Sequence, residues 1–358
     1  MRFVKLNSIC TFKQWKTLPI KELLPIGYPV YGANGIIGYS SSYNHTTPTL
    51  MICCRGATCG AINSSFGKCY INGNAMALDN LSGEFDFDYV RMFLKHFDFS
   101  KIVTGAAQPQ ITQIGLSTIQ IPKPSLEQQR HISKQLLHFE TLINVKYTEL
   151  SDLDSLVKSR FMEMFGDPIL NDKNWPTSAM SDCCQMKGTK SIPHKEKYWL
   201  LNLDKIKSET GEILGKDYVV RDEVGSSTFF FDKNYVLYSK LRPYLNKVII
   251  SDESGFATSE LVPLKPGACL NSYYLAFLLR SKSFVNWIDN TSSGAKMPRA
   301  SMSALRSFRV PLPPLELQDK FADFVHLIDK SRFVVQKEIK DLQELLDSKM
   351  DEYFGGEE

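Results

Sequence analysis

The sequence predicts an α+β protein in which two globular domains are separated by a pair of long antiparallel coiled-coil helices, arranged as a pseudo-two-fold internal repeat. Three observations support this prediction: a long ungapped repeat, a seven-residue apolar period within each copy, and glycine-marked apolar runs upstream of it. Residues 104–166 reappear as residues 293–355 at a constant offset of 189. A repeat of that length indicates two tandem copies of one folding unit.

The repeat divides the chain into two globular and two helical segments. We expect globular domains at residues 1–124 and 167–314, and helical segments at residues 125–166 and 315–358. Each copy therefore consists of a globular part followed by a helix, and the helix is the better preserved of the two.

Upstream of the ungapped region the match weakens and the offset changes. Residues 69–78 align with residues 255–264 at an offset of 186, and residues 4–10 loosely resemble residues 178–184 at an offset of 174. The second globular domain is therefore expected to carry roughly 15 extra residues, which is the difference between the offsets of 189 and 174.

Within the globular domains, short apolar runs alternate with glycine-marked turns, a pattern typical of strands and loops. Such runs occupy residues 20–39, 49–70 and 235–250. Residues 89–95 and 273–280 have the leucine and aromatic faces of short helices. We interpret the aromatic side chains as core residues rather than as platforms for base stacking.

Prolines mark the start of each predicted long helix. Pro122 and Pro124 precede the first helix, and Pro311, Pro313 and Pro314 precede the second. Proline disrupts a helix interior but suits its first turn or the extended segment before it. The helices should therefore begin directly after these prolines.

Both helices carry a coiled-coil seam with apolar residues every seven positions. The seam residues are Leu136, Ile143, Leu150, Val157 and Met164 in the first helix, and Phe321, Ile328, Val335 and Leu342 in the second. A further column in each helix is interrupted, by Lys146 and Arg160 in the first and by Arg332 in the second. Two imperfect seams in one chain most simply pack against each other; a parallel seam with a partner protein is the alternative.

Composition suits a chain with two ordinary cores, since 43% of the 358 residues are hydrophobic. No apolar run approaches the roughly 20 residues that span a bilayer. The N-terminal sequence MRFVKLNSICTFKQWK lacks the apolar stretch of a signal peptide. We therefore expect a cytoplasmic protein.

The formal net charge of +3 conceals a separation of charge along the chain. Residues 1–124 hold 11 basic and 6 acidic residues, and residues 167–314 hold 20 and 15, so each globular segment carries about +5. The helical segments together hold 11 basic and 18 acidic residues. Basic globular domains suit the phosphate backbone of nucleic acid; ordinary surface lysines are the alternative.

No sequence motif for catalysis or metal binding is found. Four of the eight cysteines lie between residues 53 and 69, but without paired CxxC units they indicate a buried strand rather than a zinc site. Disulfides are not expected in a reducing cytoplasm. The chain has no GxxxxGK[ST] phosphate loop and no Asn-Pro-Pro-aromatic methyltransferase motif. The nuclease-like triplet Glu338-Ile339-Lys340 falls on the second helix and is interpreted as solvated helix surface.

Two pairs of motifs, taken with the duplicated architecture, resemble a known family. GAAQPQIT is followed by IPKPSLEQQ and a heptad helix, and GAKMPRAS is followed by VPLPPLELQ and another. This arrangement resembles the specificity subunit of type I restriction-modification systems. YPVYGANGIIGY and CCRGATCGAIN resemble pieces of that family's target-recognition domains. The chain departs from the family pattern at Cys53 and Cys54, where small hydroxyl residues are common, and is rather short for the family.

The resemblance implies that each globular domain is a target-recognition domain that reads one half of a bipartite sequence in double-stranded DNA. The helices would set the spacer between the halves and dock two methyltransferase (M) subunits, with restriction/translocase (R) subunits joining the complex. The chain itself would catalyse no reaction, and S-adenosylmethionine, ATP and Mg would be bound by the partner subunits.

Two other functions remain open at this point. The chain is also compatible with a DNA-recognition subunit of a different modification or phage-defence system, which the identity of the neighbouring enzyme subunit would distinguish. A coiled-coil scaffold without a DNA role is the second alternative, and it would show no salt-dependent DNA binding.

Candidate DNA-reading residues are those with forked or paired donors and acceptors beside glycine or proline in predicted loops, since such side chains recognise base edges. In the first domain they are Arg55, Asn72, Asn74, Gln108, Gln110 and Gln113. In the second domain they are Lys240, Arg242, Ser259, Glu260, Lys296 and Arg299. Glu260 is expected to accept a hydrogen bond from a cytosine amino group. For each residue the alternative is an ordinary surface or turn position.

Overall fold

A computed structural model describes residues 2–105, 108–292, 294 and 296–355. It confirms the predicted α+β class and divides the chain into two compact units. The first unit combines Met1–Lys146 with Glu338–Glu358, and the second is Tyr147–Lys337. Each unit therefore includes part of both long helices, whereas the sequence prediction treats the helices as separate segments.

Some positions named in the sequence analysis lie outside the described residues. They are Met1, Ser293 at the start of the second repeat copy, and residues 356–358 at the end of the second helical segment. Ala106 and Ala107 of the motif GAAQPQIT and Ala295 of the motif GAKMPRAS also lie outside.

Among the described residues, the first unit contains three sheets and two short helices, and it shares the long helix that follows them with the second unit. The elements are β1 (Phe3–Lys5), β2 (Thr11–Gln14), β3 (Tyr28–Gly32), β4 (Gly35–Ser40), β5 (Leu50–Cys53), β6 (Ile62–Ser64), β7 (Tyr70–Ile71), β8 (Ala75–Asp79), α1 (Phe87–His96), α2 (Gln113–Thr118), β9 (Gln120–Pro122) and the long helix α3 (Leu126–Phe165). Within the sheets the strand orders are β2-β8-β5-β6, β4-β3-β7 and β1-β9.

The second unit repeats this plan with one additional strand and two additional short helices, and it shares its long helix with the first unit. Its elements are β10 (Thr177–Ala179), α4 (Met180–Cys183), β11 (Cys184–Gln185), β12 (Tyr198–Leu201), β13 (Asp217–Val219), β14 (Thr228–Phe231), β15 (Val236–Ser239), β16 (Val248–Ile250), β17 (Gly255–Thr258), β18 (Leu261–Pro266), α5 (Ser272–Arg280), α6 (Lys282–Asp289), α7 (Met302–Ser307), β19 (Arg309–Pro311) and the long helix α8 (Leu315–Phe354). The sheets are ordered β11-β18-β15-β16, β13-β12-β17-β14 and β10-β19.

Strand pairing shows the same repeat as the sequence. In the first unit Cys53 pairs with Ala75, and in the second Ser239 pairs with Leu261, so both partners are shifted by the offset of 186. The order β2-β8-β5-β6 thus corresponds strand by strand to β11-β18-β15-β16. The two central sheets are copies of one another.

The extra residues of the second globular domain can be located from the parallel pairings. Tyr31 pairs with Ile71 in the first unit, and Leu201 pairs with Ala257 in the second. The offset is 170 at the first strand of each pair and 186 at the second, so 16 additional residues lie between them. They fall in the stretch between β12 and β14, and the full strand β14 replaces what is a single bridge, His45 to Cys69, in the first unit.

Both long helices have 40 residues and begin one or two residues after the predicted prolines. In the first unit the core combines Leu136 and Ile143 of α3 with Leu346 and Met350 of α8. In the second unit it combines Val157 of α3 with residues of α8 that include Phe321, Val325 and Ile328. The described seams therefore pack within this chain. Of the other seam residues, Val335 is buried, whereas Leu150, Met164 and Leu342 are partly buried.

The helices pair in antiparallel fashion, and their polar interruptions are matched by carboxylates. In the first unit Tyr353 donates to Gln135 Oε1 at 2.6 Å, and Lys146 contacts Glu338 at 2.7 Å. In the second unit Arg332 forms an ion pair with Asp154. Lys146 and Arg332 thus break the apolar columns at positions where the other helix supplies an opposite charge.

A buried glutamine joins each globular part to its long helix. Gln129 is fully buried; its side-chain oxygen accepts the Asp86 N–H at 2.9 Å, and its amide donates to the carbonyls of Glu84 and Pro124. Gln318 repeats the arrangement with Asn271, Cys269 and Pro313. These glutamines are the last residues of the two repeated motifs, which explains why both motifs end alike.

Each of the eight cysteines is a free thiol, and burial raises the pKa of Cys10 and Cys184 to about 12. Within the described part of the chain, no cluster of three or more His, Cys, Asp or Glu side chains is arranged to hold a metal ion. The helices among these residues also include none with the length and apolarity of a membrane span.

Candidate nucleic-acid interface

In the first unit three chain segments meet where β5 ends. Ile111 donates its N–H to the carbonyl of Cys54 at 3.1 Å, and Gly56 donates to the carbonyl of Pro109 at 3.3 Å. The thiol of Cys54 contacts the carbonyl of Asn74 at 3.5 Å. We call residues 54–56, 74 and 109–111 the first loop frame.

The second unit has the same arrangement where β15 ends. Ala300 donates to the carbonyl of Lys240 at 2.8 Å, and Arg242 donates to the carbonyl of Pro298 at 2.7 Å. Lys240 in turn donates to the carbonyl of Glu260 at 3.0 Å. Residues 240–242, 260 and 298–300 form the second loop frame.

The two frames are equivalent position by position. An isolated bridge joins Arg55 to Gln110 in the first frame, and the matching bridge joins Leu241 to Arg299 in the second. The offsets are 186 for the strand-end segment and 189 for the later one, as in the sequence repeat. The backbone is therefore duplicated, while the side chains that it presents differ: Gln110 and Asn74 occupy the places of Arg299 and Glu260.

Both frames need a left-handed backbone at one position. Gly56 has φ +87° in the first frame, and Arg242, its equivalent, has φ +50° in the second. Glycine adopts this conformation freely, whereas a residue with a Cβ pays roughly 1–2 kcal/mol. Strain of this kind is concentrated at functional sites. Arg242 is also half-buried, and its Nε has no hydrogen-bond partner among the described residues.

An ion pair dominates the electrostatics of the second frame. Arg299 donates through Nε to Glu260 Oε2 at 3.2 Å and through Nη2 to Glu260 Oε1 at 3.0 Å. This hydrogen bond from Arg299 lowers the pKa of Glu260, and the charges of Arg299 and Lys240 lower it further. Arg299 is exposed, and Glu260 is half-buried.

Five of the six candidates in the first unit are exposed. Arg55, Asn74 and Gln110 lie in the first loop frame, and Gln108 lies two residues before Gln110. Gln113 is exposed at the start of α2, where its amide donates to the carbonyl of Phe12 at 3.0 Å.

Asn72 differs from the other candidates because it is only 2% exposed. Its side-chain oxygen accepts the N–H groups of Leu18 and Gly73, and its amide donates to the carbonyl of Leu18. The side chain is thus bonded to backbone inside the unit. The Asn72 side chain therefore stabilises the loop and is buried away from solvent, and it is not one of the proposed DNA contacts.

In the second unit four of the candidates lie in the loop frame, namely Lys240, Arg242, Glu260 and Arg299. Ser259 is exposed beside it and donates its N–H to the carbonyl of Ser227 at 3.0 Å. Lys296 is exposed three residues before Arg299. The structure therefore gathers residues from three distant parts of the sequence into one surface.

The prolines that hold the frames together are not among the residues predicted from the sequence. The carbonyls of Pro109 and Pro298 accept the N–H groups of Gly56 and Arg242. The sequence repeat could have identified them, because both prolines occupy the same position in the motifs GAAQPQIT and GAKMPRAS. Gln14 was also missed; its amide contacts the sulfur of Cys54 at 2.9 Å.

Comparison with known proteins matches both halves of the chain to one family. The family model for the type I restriction modification DNA specificity domain matches residues 1–153 and again residues 172–344. Together these matches cover most of the 358 residues.

Curated relatives carry the same description. The chain is 27% identical over 134 residues to the type I restriction enzyme EcoDI specificity subunit of Escherichia coli, which covers 37% of this chain and 30% of that protein. It is 30% identical over 128 residues to the EcoprrI specificity subunit of Escherichia coli, covering 36% and 31%. It is 23% identical over 286 residues to the MjaIX specificity subunit of Methanocaldococcus jannaschii, covering 71% and 64%. The matched region thus spans under a third of the length of the two Escherichia coli relatives.

Solved structures share the fold over nearly the whole chain. The type I restriction-modification S subunit from M. genitalium superposes with a TM-score of 0.58 at 15% identity, covering 100% of this chain and 96% of that one. A chain from a structural study of complex assembly and conformational transition of the type I R-M system gives 0.58 at 14% identity, covering 99% and 97%. With the family model matching both repeat copies, the chain belongs to the type I restriction modification DNA specificity domain family.

Proposed function

We propose that this chain is the specificity subunit of a type I restriction-modification complex and recognises a defined sequence in double-stranded DNA. The observation that carries the proposal is the duplicated loop frame. Each unit holds the same hydrogen-bonded backbone and presents a different set of base-reading side chains on it. A protein that reads two different half-sites with one architecture needs this combination.

Charge favours DNA as the ligand of both globular parts. Residues 1–124 and 167–314 each carry a net charge of about +5, whereas the helical segments are acidic. Lysine and arginine contacts to phosphates supply sequence-independent affinity, and base-edge contacts supply specificity. In this proposal these two tasks fall to Arg55 and Gln110 in the first unit and to Lys240 and Arg299 in the second.

In this proposal residues 1–124 and 167–314 are target-recognition domains, each reading one half of a bipartite target. The long helices at residues 125–166 and 315–358 set the spacer between the halves. The chain itself is not an enzyme, and methylation, ATP-dependent translocation and cleavage belong to partner subunits.

The long helices also offer surface for partner subunits. Their seam residues pack inside the chain, but apolar side chains remain exposed on other faces, including Val145, Leu156, Leu327 and Val334. We propose that two methyltransferase (M) subunits and the restriction/translocase (R) subunits assemble through such helix surfaces. S-adenosylmethionine, ATP and Mg are cofactors of those partners.

An exchange of globular domains tests the modular part of the proposal. Residues 1–120 are replaced by the corresponding segment of a homologue with a different target, and the methylated sequence is determined. The expected result is a change in one half of the motif with the other half kept. The reciprocal exchange of residues 167–314 is the matched control and should change only the other half. A change in both halves after either exchange would overturn the proposal.

A further inference from the structure

We infer that Arg299 reads a guanine in the half-site of the second unit and that Glu260 is the positioning residue that aims it. This inference rests on the proposed function and deepens it by assigning one base to one residue pair.

The hydrogen-bond geometry of the pair leaves the reading edge of the arginine free. A guanidinium has five N–H donors in a rigid planar fork. Glu260 engages one side of that fork, through Nε and one hydrogen of Nη2. The neighbouring edge, formed by Nη1 and the second hydrogen of Nη2, has no hydrogen-bond partner among the described residues. Because Arg299 is exposed, this edge is accessible to a ligand.

The free edge matches guanine. Guanine presents two acceptors, O6 and N7, in the major groove, and a forked arginine is their usual partner. Both oxygens of Glu260 are bonded to Arg299, so we infer a positioning role for it in place of the cytosine contact expected from the sequence. Glu260 instead restricts the rotation of a long side chain, which lowers the entropic cost of forming two bonds to the base.

Backbone hydrogen bonds hold both members of the pair in place. Arg299 lies between Pro298 and Ala300, whose backbone groups are bonded to Arg242 and Lys240. The carbonyl of Glu260 accepts the N–H of Lys240. The aim of the guanidinium is therefore set by the loop frame and not by the side-chain contact alone.

The first loop frame offers a natural comparison. Gln110 and Asn74 occupy the positions of Arg299 and Glu260, and both are exposed. A glutamine or asparagine amide pairs with N6 and N7 of adenine, as a forked arginine pairs with guanine. The same backbone thus carries side chains suited to guanine in the second unit and side chains suited to adenine in the first.

The test transfers the first unit's pair into the second. The full chain, purified with the methyltransferase subunits of its own system, selects sequences from a randomised DNA library. The double variant R299Q/E260N copies the amides of Gln110 and Asn74. The single variant Glu260→Gln removes the positioning charge, and Arg306→Gln removes an exposed positive charge outside the frame as a control.

The native chain is expected to select a split motif with a fixed guanine in one half. R299Q/E260N should lower the preference for that guanine by roughly tenfold or more and move the preference toward adenine at that single position. Glu260→Gln should keep guanine but weaken its preference over the other bases. Arg306→Gln should leave the motif unchanged.

Two other outcomes separate this inference from the function on which it rests. If the native chain selects a split motif and R299Q/E260N only lowers affinity for all sequences alike, Arg299 is a phosphate contact or a structural residue and the inference is overturned. If no split motif is enriched at all, the proposed function itself fails and the inference fails with it.

Discussion

The ring of Phe354, in the last turn of α8, meets the ring of Tyr89 in α1 edge to face, with 5.4 Å between centroids. The second unit repeats the contact between Phe165 at the end of α3 and Tyr274 in α5, at 4.7 Å. All four side chains are buried. The final turn of α8 therefore completes the core of the first unit, and the final turn of α3 completes the core of the second.

Removing the Phe354 ring should destabilise the first unit. Phe354→Ala leaves a cavity beside Tyr89 and Phe93 and is expected to cost about 3–5 kcal/mol of unfolding free energy. Hydrogen exchange would show lost protection in α1, and denaturant unfolding would give the magnitude. Phe333→Ala on the same helix is the control, because Phe333 is 69% exposed and should cost little. Equal effects of the two variants would contradict this packing.

The left-handed conformation of Arg242 should lower the unfolding free energy, whereas the positive charge of its side chain should raise the affinity for DNA. Arg242→Gly introduces the residue type that the first loop frame has at the equivalent position, Gly56, and removes the strain at φ +50°. After the entropic cost of glycine is subtracted, a gain of about 0.5–1 kcal/mol in unfolding free energy is expected. DNA affinity should fall because a cation is lost from the second loop frame. Thermal unfolding and binding titrations at two salt concentrations measure both effects. Unchanged affinity would remove Arg242 from the binding surface.

The acid stability of the first unit should depend on Glu140. Its carboxylate contacts Lys95 at 2.6 Å and Arg91 at 2.9 Å. Burial alone would raise the pKa of Glu140, but hydrogen bonds from Lys95 and Arg91 outweigh burial and hold it below its ordinary value. The resulting stability is present above the unfolded-state pKa of about 4.3 and is lost as the pH falls through the lower folded-state pKa.

Glu140→Gln tests this dependence. The variant should be less stable than the native chain at pH 7, and the difference should shrink as the pH falls below about 4. Denaturant unfolding at neutral and acidic pH gives the comparison. A difference that grows on acidification would mean that Glu140 is not stabilised as the ionised form.

The buried glutamine at the start of α8 should be as important as an apolar core residue. Gln318→Ala leaves the N–H of Asn271 and two carbonyls without their side-chain partner, which is expected to cost about 2–3 kcal/mol. Lys320→Ala, which removes only an exposed i,i+4 ion pair, should cost under about 0.5 kcal/mol. If Gln318→Ala is as mild as Lys320→Ala in denaturant unfolding, the glutamine does not join the globular part to the helix energetically.

Local signals in the sequence were sufficient to predict the long helices and the repeat. Prolines and heptad spacing act within a few turns, and α3 and α8 begin at Leu126 and Leu315, directly after the predicted positions. The short helices expected at 89–95 and 273–280 appear as α1 and α5. The repeat offset also anticipated the extra residues of the second globular domain.

Long-range pairing could not be predicted in the same way. The ion pair of Arg299 and Glu260 joins residues 39 positions apart, and nothing local in either segment indicates the contact. The glycine beside Asn72 predicts a base-reading residue in a loop, but the Asn72 side chain bonds instead to the backbone of Leu18, 54 positions away. The equivalence of Arg242 with Gly56 became visible only from the strand register, because the two residues are chemically unlike.

The most direct test of the central claim is single-molecule sequencing of adenine methylation in the host genome with and without this gene. If the chain specifies a bipartite target, deletion should erase one split motif from the methylome, and returning the native gene should restore it. A methylome that is identical in the two strains would contradict the assignment of this chain as the sequence-reading subunit of a modifying complex.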